Sequence, residues 1–189
     1  MAKRTFEHVK TMEYVDGVAY PKIVEYFEGE KVEPVSPRAT HAIVQFAMLR
    51  ILRGCAGDRG RALPEWDFYP AREAGKKVKV VPDAAFVSFE RLHRLSKRER
   101  EAPPFAPEVA IEVWSPGSSR PNLDTKISIY LANGSALVLD VDPYKRTIVA
   151  HAIDGVRSFR TGDEFSHDVV PWLRFDVSEA FEELDDLIR

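Results

Sequence analysis

Apolar residues recur at helical spacing in two long segments of the chain. Residues 38–52 carry them three and four positions apart, which predicts an amphipathic helix that ends at Gly54 and Gly57. Residues 177–187 show a similar pattern after Asp176, a typical N-cap residue, and predict a second amphipathic helix.

Short runs of β-branched and aromatic residues separate these two segments. They predict strands at residues 78–81, 84–89, 109–114, 136–141, 147–151 and 155–160. The segment Asp142-Pro143-Tyr144-Lys145 predicts a hairpin turn between two of these strands. Residues 123–131 have helical spacing and are followed by Asn133-Gly134, so a strand, a helix and a strand succeed one another, as in a parallel crossover unit. The pattern therefore predicts an α/β fold with a mixed central sheet flanked by helices.

The composition is typical of one globular domain. The chain has 189 residues, with 27 Lys and Arg against 30 Asp and Glu, and a formal net charge of −3. A chain of this length buries enough surface for a stable core without disulfides or structural metals. We expect a single domain over residues 1–189, in which residues 1–35 form a β-rich lead-in.

Other protein classes are excluded by what the sequence lacks. The single cysteine, Cys55, allows no internal disulfide and no cysteine-cluster zinc site, which favours a reducing cytoplasm. No segment approaches the ~18 uninterrupted apolar residues of a membrane span, and the first residues have no apolar signal-peptide core. Because the phosphate-binding and dinucleotide-binding glycine motifs are also missing, we expect neither a membrane partner nor an organic cofactor.

Three charged residues stand on consecutive predicted elements. Asp83 follows Pro82 at the start of an apolar strand, where its alternative role is to hold a turn. Glu112 lies inside the strand at 109–114, and a buried carboxylate there needs either a metal or a cationic partner such as arginine. Lys126 and Tyr130 are four residues apart and share one face of the following helix, although a lysine near a helix start is often merely solvated.

Taken together, these residue types indicate phosphodiester hydrolysis. Two carboxylates on adjacent strands can hold a divalent cation, usually Mg²⁺ with Mn²⁺ as an alternative, that keeps water and substrate phosphate among its ligands. A nearby lysine can orient or deprotonate the attacking water and neutralise charge on the phosphate. Asp83, Glu112 and Lys126 are therefore the candidate catalytic residues.

In order and spacing, these residues resemble the PD-(D/E)xK nuclease superfamily and, within it, the Uma-two family of restriction endonucleases. The resemblance rests on Ser36-Pro37 with His41, Pro82-Asp83, Ile111-Glu112-Val113 with Ser115-Pro116, Lys126 with Tyr130, and residues 137–141. It implies a restriction-endonuclease-like core and a homodimeric, magnesium-dependent endonuclease that acts on DNA. It also implies that Asp83, Glu112 and the carbonyl of Val113 bind the metal and that Lys126 assists the water.

The sequence departs from the superfamily pattern at one position. Trp114 stands two residues after Glu112, where that pattern has lysine, so Lys126 has to take over this role from the following helix. Trp114 and the acidic composition leave open a nuclease-fold binding or assembly module without catalysis. A metal phosphohydrolase acting on small nucleotides is a third alternative.

Further residues are candidates for supporting roles. Tyr130 would hold Lys126 in position, and His41 would either support the site or simply cap or pack the first long helix. The family often has an E-x-x-x-G element before that helix, and two segments match it. Spacing favours the one that begins at Glu25, whereas the wording of the motif favours the one that begins at Glu13.

Basic side chains cluster around the strand that follows Asp83. They are Lys76, Lys77, Lys79, Arg91, Arg94, Lys97, Arg98 and Arg100. We expect them either to contact a phosphate backbone or to form a solvated surface interleaved with Glu99 and Glu101.

Overall fold

A computed structural model describes residues 6–15, 18–27, 30–32, 39–73, 76–115 and 120–187. Contacts divide the chain into two units, Met1–Ser36 and Pro37–Arg189. The first unit is an antiparallel sheet of β1 (Phe6–Val15), β2 (Val18–Phe27) and β3 (Glu30–Val32), in that order. The prediction of a single domain with a β-rich lead-in stays a prediction.

The second unit contains the central sheet. Its helices are α1 (Ala39–Ala56), α2 (Phe89–His93), α3 (Lys97–Glu101) and α4 (Arg120–Ala132). Its strands are β4 (Gly60–Pro64), β5 (Phe68–Glu73), β6 (Lys76–Val80), β7 (Ala84–Ser88), β8 (Val109–Val113), β9 (Leu137–Asp142), β10 (Thr147–Ala152), β11 (Gly155–Arg160), β12 (Glu164–Phe165) and β13 (Phe175–Asp176). Six strands form a mixed sheet in the order β11-β10-β9-β8-β7-β4. This is the α/β fold that the sequence predicted.

The predicted crossover unit is present at the centre of this sheet. β8 and β9 run parallel and are joined by α4, whereas β7 is antiparallel to β8 and β10 is antiparallel to β9. The helix ends where Gly134 takes a φ of +94° and donates its N–H to the carbonyl of Leu131, as a glycine after a helix commonly does. Every residue of β8 and β9 is buried, as expected for central strands covered on both faces.

The two faces of the sheet carry separate hydrophobic clusters. Val109, Ile111 and Val113 pack on the side of α1 and of the segment that follows β13. Ala110 packs on the opposite side, against Tyr130 and other apolar residues of α4. The period-two alternation predicted for this strand is therefore confirmed, and it directs Glu112 towards α4.

Two helix predictions are wrong, one in the end of the first helix and one in the type of the last helix. Gly54 lies inside α1, because an exposed glycine in the last turn meets no steric obstacle, and the helix ends at Ala56 before Gly57, which has a φ of +55°. The helix predicted for residues 177–187 consists instead of two 3-10 turns, because the backbone of Phe181 leaves the helical region at a φ of −126°. Ser36-Pro37, the predicted start signal of the first helix, lies outside the described residues.

Within the described ranges, no helix combines the length and the apolar composition that a membrane crossing requires.

Candidate active site

Strand register places the two candidate metal ligands opposite each other. Ala84 of β7 pairs with Ile111 of β8, so Asp83, one residue earlier, faces Glu112 at the end of the antiparallel pair. The backbone N–H of Val113 donates to Oδ2 of Asp83 at 2.6 Å. A hydrogen bond to a charged acceptor is stronger than a neutral one, and this bond fixes the Asp83 carboxylate at the β8 strand.

Glu112 is buried and has a partner on each carboxylate oxygen. The residue is 6% exposed, and Nζ of Lys126 lies 2.6 Å from its Oε2. The hydroxyl of Tyr130 donates to Oε1 at 2.7 Å. Nζ of Lys126 also donates to the carbonyl of Val81, at 3.2 Å, which ties the lysine to the loop before Asp83. The structure thus brings together the glutamate, the lysine and the tyrosine that the sequence placed on consecutive elements.

Burial dominates the electrostatics around Glu112. It raises the pKa of the Glu112 carboxyl, Lys126 partly opposes this shift, and the charge of Asp83 adds to it. Burial also raises the pKa of Tyr130 far above its ordinary value, and the neighbouring Glu112 carboxylate adds to this shift. The Tyr130 hydroxyl therefore stays protonated and donates its hydrogen bond at any ordinary pH.

His41 approaches the site from the first turn of α1. Its Nε2 lies 3.3 Å from Oδ1 of Asp83. The hydrogen bond to Asp83 raises the pKa of His41, burial partly opposes this, and the backbone of Val113 acts in the same direction as Asp83. Nδ1 of His41 is buried and has no hydrogen-bond partner among the described residues. The histidine thus contacts the candidate metal ligand directly, beyond any role in capping or packing.

Gln45 and Glu65 also contact Asp83, and neither is among the site residues that the sequence predicted. Nε2 of Gln45, one turn after His41, donates to the carbonyl of Asp83 at 3.0 Å and to Oε1 of Glu65 at 3.4 Å. Glu65 adopts a φ of 47° and points its own N–H at the same carbonyl, at 3.4 Å. Gln45 could have been found from the sequence, because it is a polar residue on the otherwise apolar face of α1, four positions after His41.

The two candidate N-terminal glutamates lie on strands of the first sheet. Glu13 lies in β1 opposite Tyr20, and Glu25 lies in β2 opposite His8. Their side chains lie outside the described part of the chain, so the choice between Glu13 and Glu25 stays a prediction.

Several of the basic residues around β6 and α2 have partners within the protein. Lys79 pairs with Asp67 at 2.7 Å. Arg91 lies 3.3 Å from Glu108 and stacks on the ring of Phe105. Such contacts are those of a structured surface, although they leave part of each cation accessible. The side chains of Lys76 and Lys77 are outside the described set.

The oxygen atoms gathered at Asp83 and Glu112 suit a hard divalent cation. The described residues contain no group of three or more His, Cys, Asp or Glu side chains that could hold a metal ion. A closed zinc centre of four protein ligands is therefore not formed by these residues. Mg²⁺ commonly needs only one or two carboxylates, with water and phosphate as its other ligands, and the two carboxylates fit that requirement.

The fold and the family comparison define a restriction-endonuclease-like protein. The fold is similar to that of a protein from Anabaena variabilis ATCC 29413, described as a "putative nuclease belonging to DUF820", with a TM-score of 0.68 and 19% sequence identity over 86% of this chain and 91% of that chain. The model of the family described as "Uma2: Putative restriction endonuclease" matches residues 10–178, and the chain belongs to this family. No functionally curated protein matches the sequence. The resemblance that the sequence indicated is thereby confirmed.

Proposed function

We propose that this protein is a magnesium-dependent endonuclease that hydrolyses phosphodiester bonds of DNA. The observation that carries the proposal is the convergence of Asp83, Glu112 and Lys126 at the end of the β7–β8 pair. Membership in the family and the nuclease-like fold support hydrolysis of a nucleic acid. The metal, the DNA substrate and the role of each residue are the specific content of the proposal.

Asp83, Glu112 and the carbonyl of Val113 would hold Mg²⁺, or Mn²⁺ in its place. A bound divalent ion would polarise the phosphate and offset the charge that develops on it during attack. The charges of the site are compatible with this assignment, because Glu112 pairs with Lys126, whereas Asp83 pairs, among the described residues, with the imidazole of His41, whose charge depends on pH. Burial and the charge of Asp83 raise the pKa of the Glu112 carboxyl, and a bound cation would offset the repulsion between the two carboxylates.

Lys126 would orient the attacking water and neutralise the phosphate. Its side chain is 37% exposed, so Nζ can reach a substrate while it keeps its contact with Glu112. As an ammonium group it donates hydrogen bonds to water or phosphate oxygens. Lys126 thus takes the place of the lysine that the superfamily pattern has at Trp114.

The neighbouring residues would hold these groups in position. Tyr130 fixes one oxygen of Glu112, and the Val113 N–H fixes one oxygen of Asp83. His41 approaches the second oxygen of Asp83. Because the reacting groups must be placed to a fraction of an ångström, such contacts matter for rate as well as for stability.

A catalytically inactive binding or assembly module is the second candidate, and the observation that favours it is Trp114 at the usual lysine position.

We further propose a homodimer, because a duplex has two strands to cut, and a cytoplasmic location, because one cysteine and no disulfide suit a reducing compartment.

Cleavage assays separate the two candidates. Supercoiled plasmid and single-stranded DNA are incubated with the wild-type chain, Lys126→Ala and Glu112→Ala, each in Mg²⁺, Mn²⁺ or EDTA. Arg160→Ala is the control, because Arg160 is an exposed cation on β11, separated from β8 by two strands. We expect metal-dependent cleavage by the wild type and the control and none by the other two variants. Absence of cleavage by the folded wild type, or equal cleavage by all four proteins, would favour the inactive module.

A further inference from the structure

Two aromatic rings meet at the carboxyl ends of the central strands β8 and β9, beside the candidate active site. Trp114 directly follows β8, and Tyr144 lies in the turn between β9 and β10. Their ring centroids are 5.6 Å apart, and the ring planes are nearly perpendicular, at 88°. Such an edge-to-face pair is a favourable arrangement for two aromatic rings.

The backbone fixes both of these residues. The N–H of Trp114 donates to the carbonyl of Val141 at 2.8 Å, a bond that belongs to the parallel pairing of Val113 with Val141. Oδ1 of Asp142 accepts the N–H groups of Tyr144 and Lys145, each at 3.0 Å, and so holds the turn. The aromatic pair is therefore pre-organised by the same two strands that position Glu112.

The pair lies on the same side of the sheet as the catalytic carboxylate. Strand alternation puts Trp114 and Glu112 on one face, about 7 Å apart along β8. Trp114 is partly buried against the hydrophobic cluster on the α4 side, whereas Tyr144 is 49% exposed. Both rings stand at the carboxyl ends of parallel strands, the edge at which α/β sheets commonly bind ligands.

We propose that the ring of Tyr144, held in place by the perpendicular ring of Trp114, forms a stacking platform for a nucleobase next to the phosphate that is cleaved. This inference rests on the proposed function, because the phosphate at Glu112 and Lys126 sets where the neighbouring base lies. Successive nucleotides of a B-form strand rise by ~3.4 Å along the helix axis, so a base one or two nucleotides from that phosphate can reach the pair.

Charge on both sides of the rings favours a nucleic acid as the occupant. Lys126 lies on the Glu112 side, and Lys145 lies on the same turn as Tyr144, where it pairs with Asp142 at 3.3 Å and keeps 77% of its side chain exposed. Two cations that flank an aromatic platform match the alternation of phosphate and base along a strand. The proposal also gives Trp114 a function at the position where the superfamily has lysine.

Binding to an oligonucleotide with bases and to one without bases tests the platform. The probes are a short fluorescein-labelled oligothymidylate and an abasic oligomer of the same length and charge, with Ca²⁺ in place of Mg²⁺ and at one fixed ionic strength. Affinities are measured by fluorescence anisotropy for the full-length wild type, Trp114→Leu and Tyr144→Ala. The control is Ile153→Ala, because Ile153 is 93% exposed in the turn at the opposite end of β10. Thermal melts verify that each variant is folded, and Tyr144→Ala alters an exposed side chain, so it keeps the test valid if Trp114→Leu does not fold.

The ratio of the affinities for the oligothymidylate and for the abasic oligomer shows whether the protein binds a base at the platform. We expect the wild type and Ile153→Ala to prefer the oligothymidylate by about tenfold or more, the range of base–aromatic stacking, and the folded platform variants to lose most of this preference. An equal ratio in all proteins, or no binding of either probe by the wild type, would overturn the proposal. Because this readout needs no cleavage, a base preference that depends on Tyr144 in a protein without nuclease activity would refute the proposed function and keep the platform.

Discussion

The hydroxyl of Tyr130 offers the sharpest test of how the buried glutamate is stabilised. Tyr130→Phe removes one oxygen atom and leaves the ring in place. In the native protein this hydroxyl donates to Glu112 Oε1 at 2.7 Å, and Tyr130 has no exposed surface. After the change, Oε1 has lost its donor at a depth where water cannot readily replace it.

The expected cost follows from this geometry. A hydrogen bond to a charged group contributes ~1.5–3 kcal/mol, and both partners here are buried, so solvent screening does not reduce it much. Oε2 keeps its contact with Lys126, so the carboxylate retains its counter-charge. We therefore expect Tyr130→Phe to lower the free energy of unfolding by about 2 kcal/mol at neutral pH.

Urea denaturation of the metal-free protein measures this change. With a denaturant dependence of about 2 kcal/mol per molar urea, the midpoint should fall by about 1 M. Tyr144→Phe is the matched control, because Tyr144 is half exposed, and its midpoint should match the wild type. In the background of Glu112→Gln, Tyr130→Phe should cost less, because a neutral amide oxygen accepts a weaker hydrogen bond than a carboxylate does. A Tyr130→Phe midpoint equal to that of the wild type would refute the reasoning.

Two further predictions concern the pH dependence and the packing of the second unit. Because burial raises the pKa of Glu112 above its ordinary value of 4.5, the native state binds this proton more tightly than the unfolded chain, so metal-free protein should lose stability as pH rises from about 4.5 towards the raised pKa. Melts in EDTA across this range should show a flatter profile for Glu112→Gln, and parallel profiles would contradict the assignment. Gly60→Ala should cost about 3 kcal/mol in urea denaturation, because its Cβ would lie 2.2 Å from the Val87 carbonyl oxygen. Gly54→Ala, which meets open space in α1, should gain ~0.5–1 kcal/mol, and a similar loss in both variants would show that close packing is not the cause.

The sequence predicted the centre of the fold better than its periphery. β8, α4 and β9 combine continuous apolar runs with a clear C-cap at Asn133-Gly134, so local pattern and tertiary structure agree there. β4 was not predicted from the sequence. Gly60–Pro64 is a short edge strand that contains glycine, arginine and proline, and these residues carry little of the pattern typical of strands. The 3-10 turns after Asp176 carry a helical start signal, and the apolar spacing of so short a segment does not distinguish them from an α-helix.

The candidate site likewise contains residues that the sequence could predict and contacts that it could not. Asp83, Glu112 and Lys126 could be found because charged residues next to apolar runs stand out, and their order matches a known family. The antiparallel register that sets Asp83 against Glu112 could not be read locally, because it depends on which strands pair. Backbone partners such as the Val81 carbonyl give no signal in the side-chain pattern at all.

Metal binding and cleavage, measured on the same preparations, test most directly whether Asp83, Glu112 and Lys126 form one metal-dependent site. Mn²⁺ is titrated by calorimetry into the wild type, Asp83→Asn and Lys126→Met, and each protein is then assayed for plasmid cleavage. We predict that the wild type binds Mn²⁺ and cleaves, that Asp83→Asn does neither, and that Lys126→Met binds Mn²⁺ but does not cleave. Mn²⁺ binding and cleavage by Asp83→Asn at wild-type levels would contradict the account.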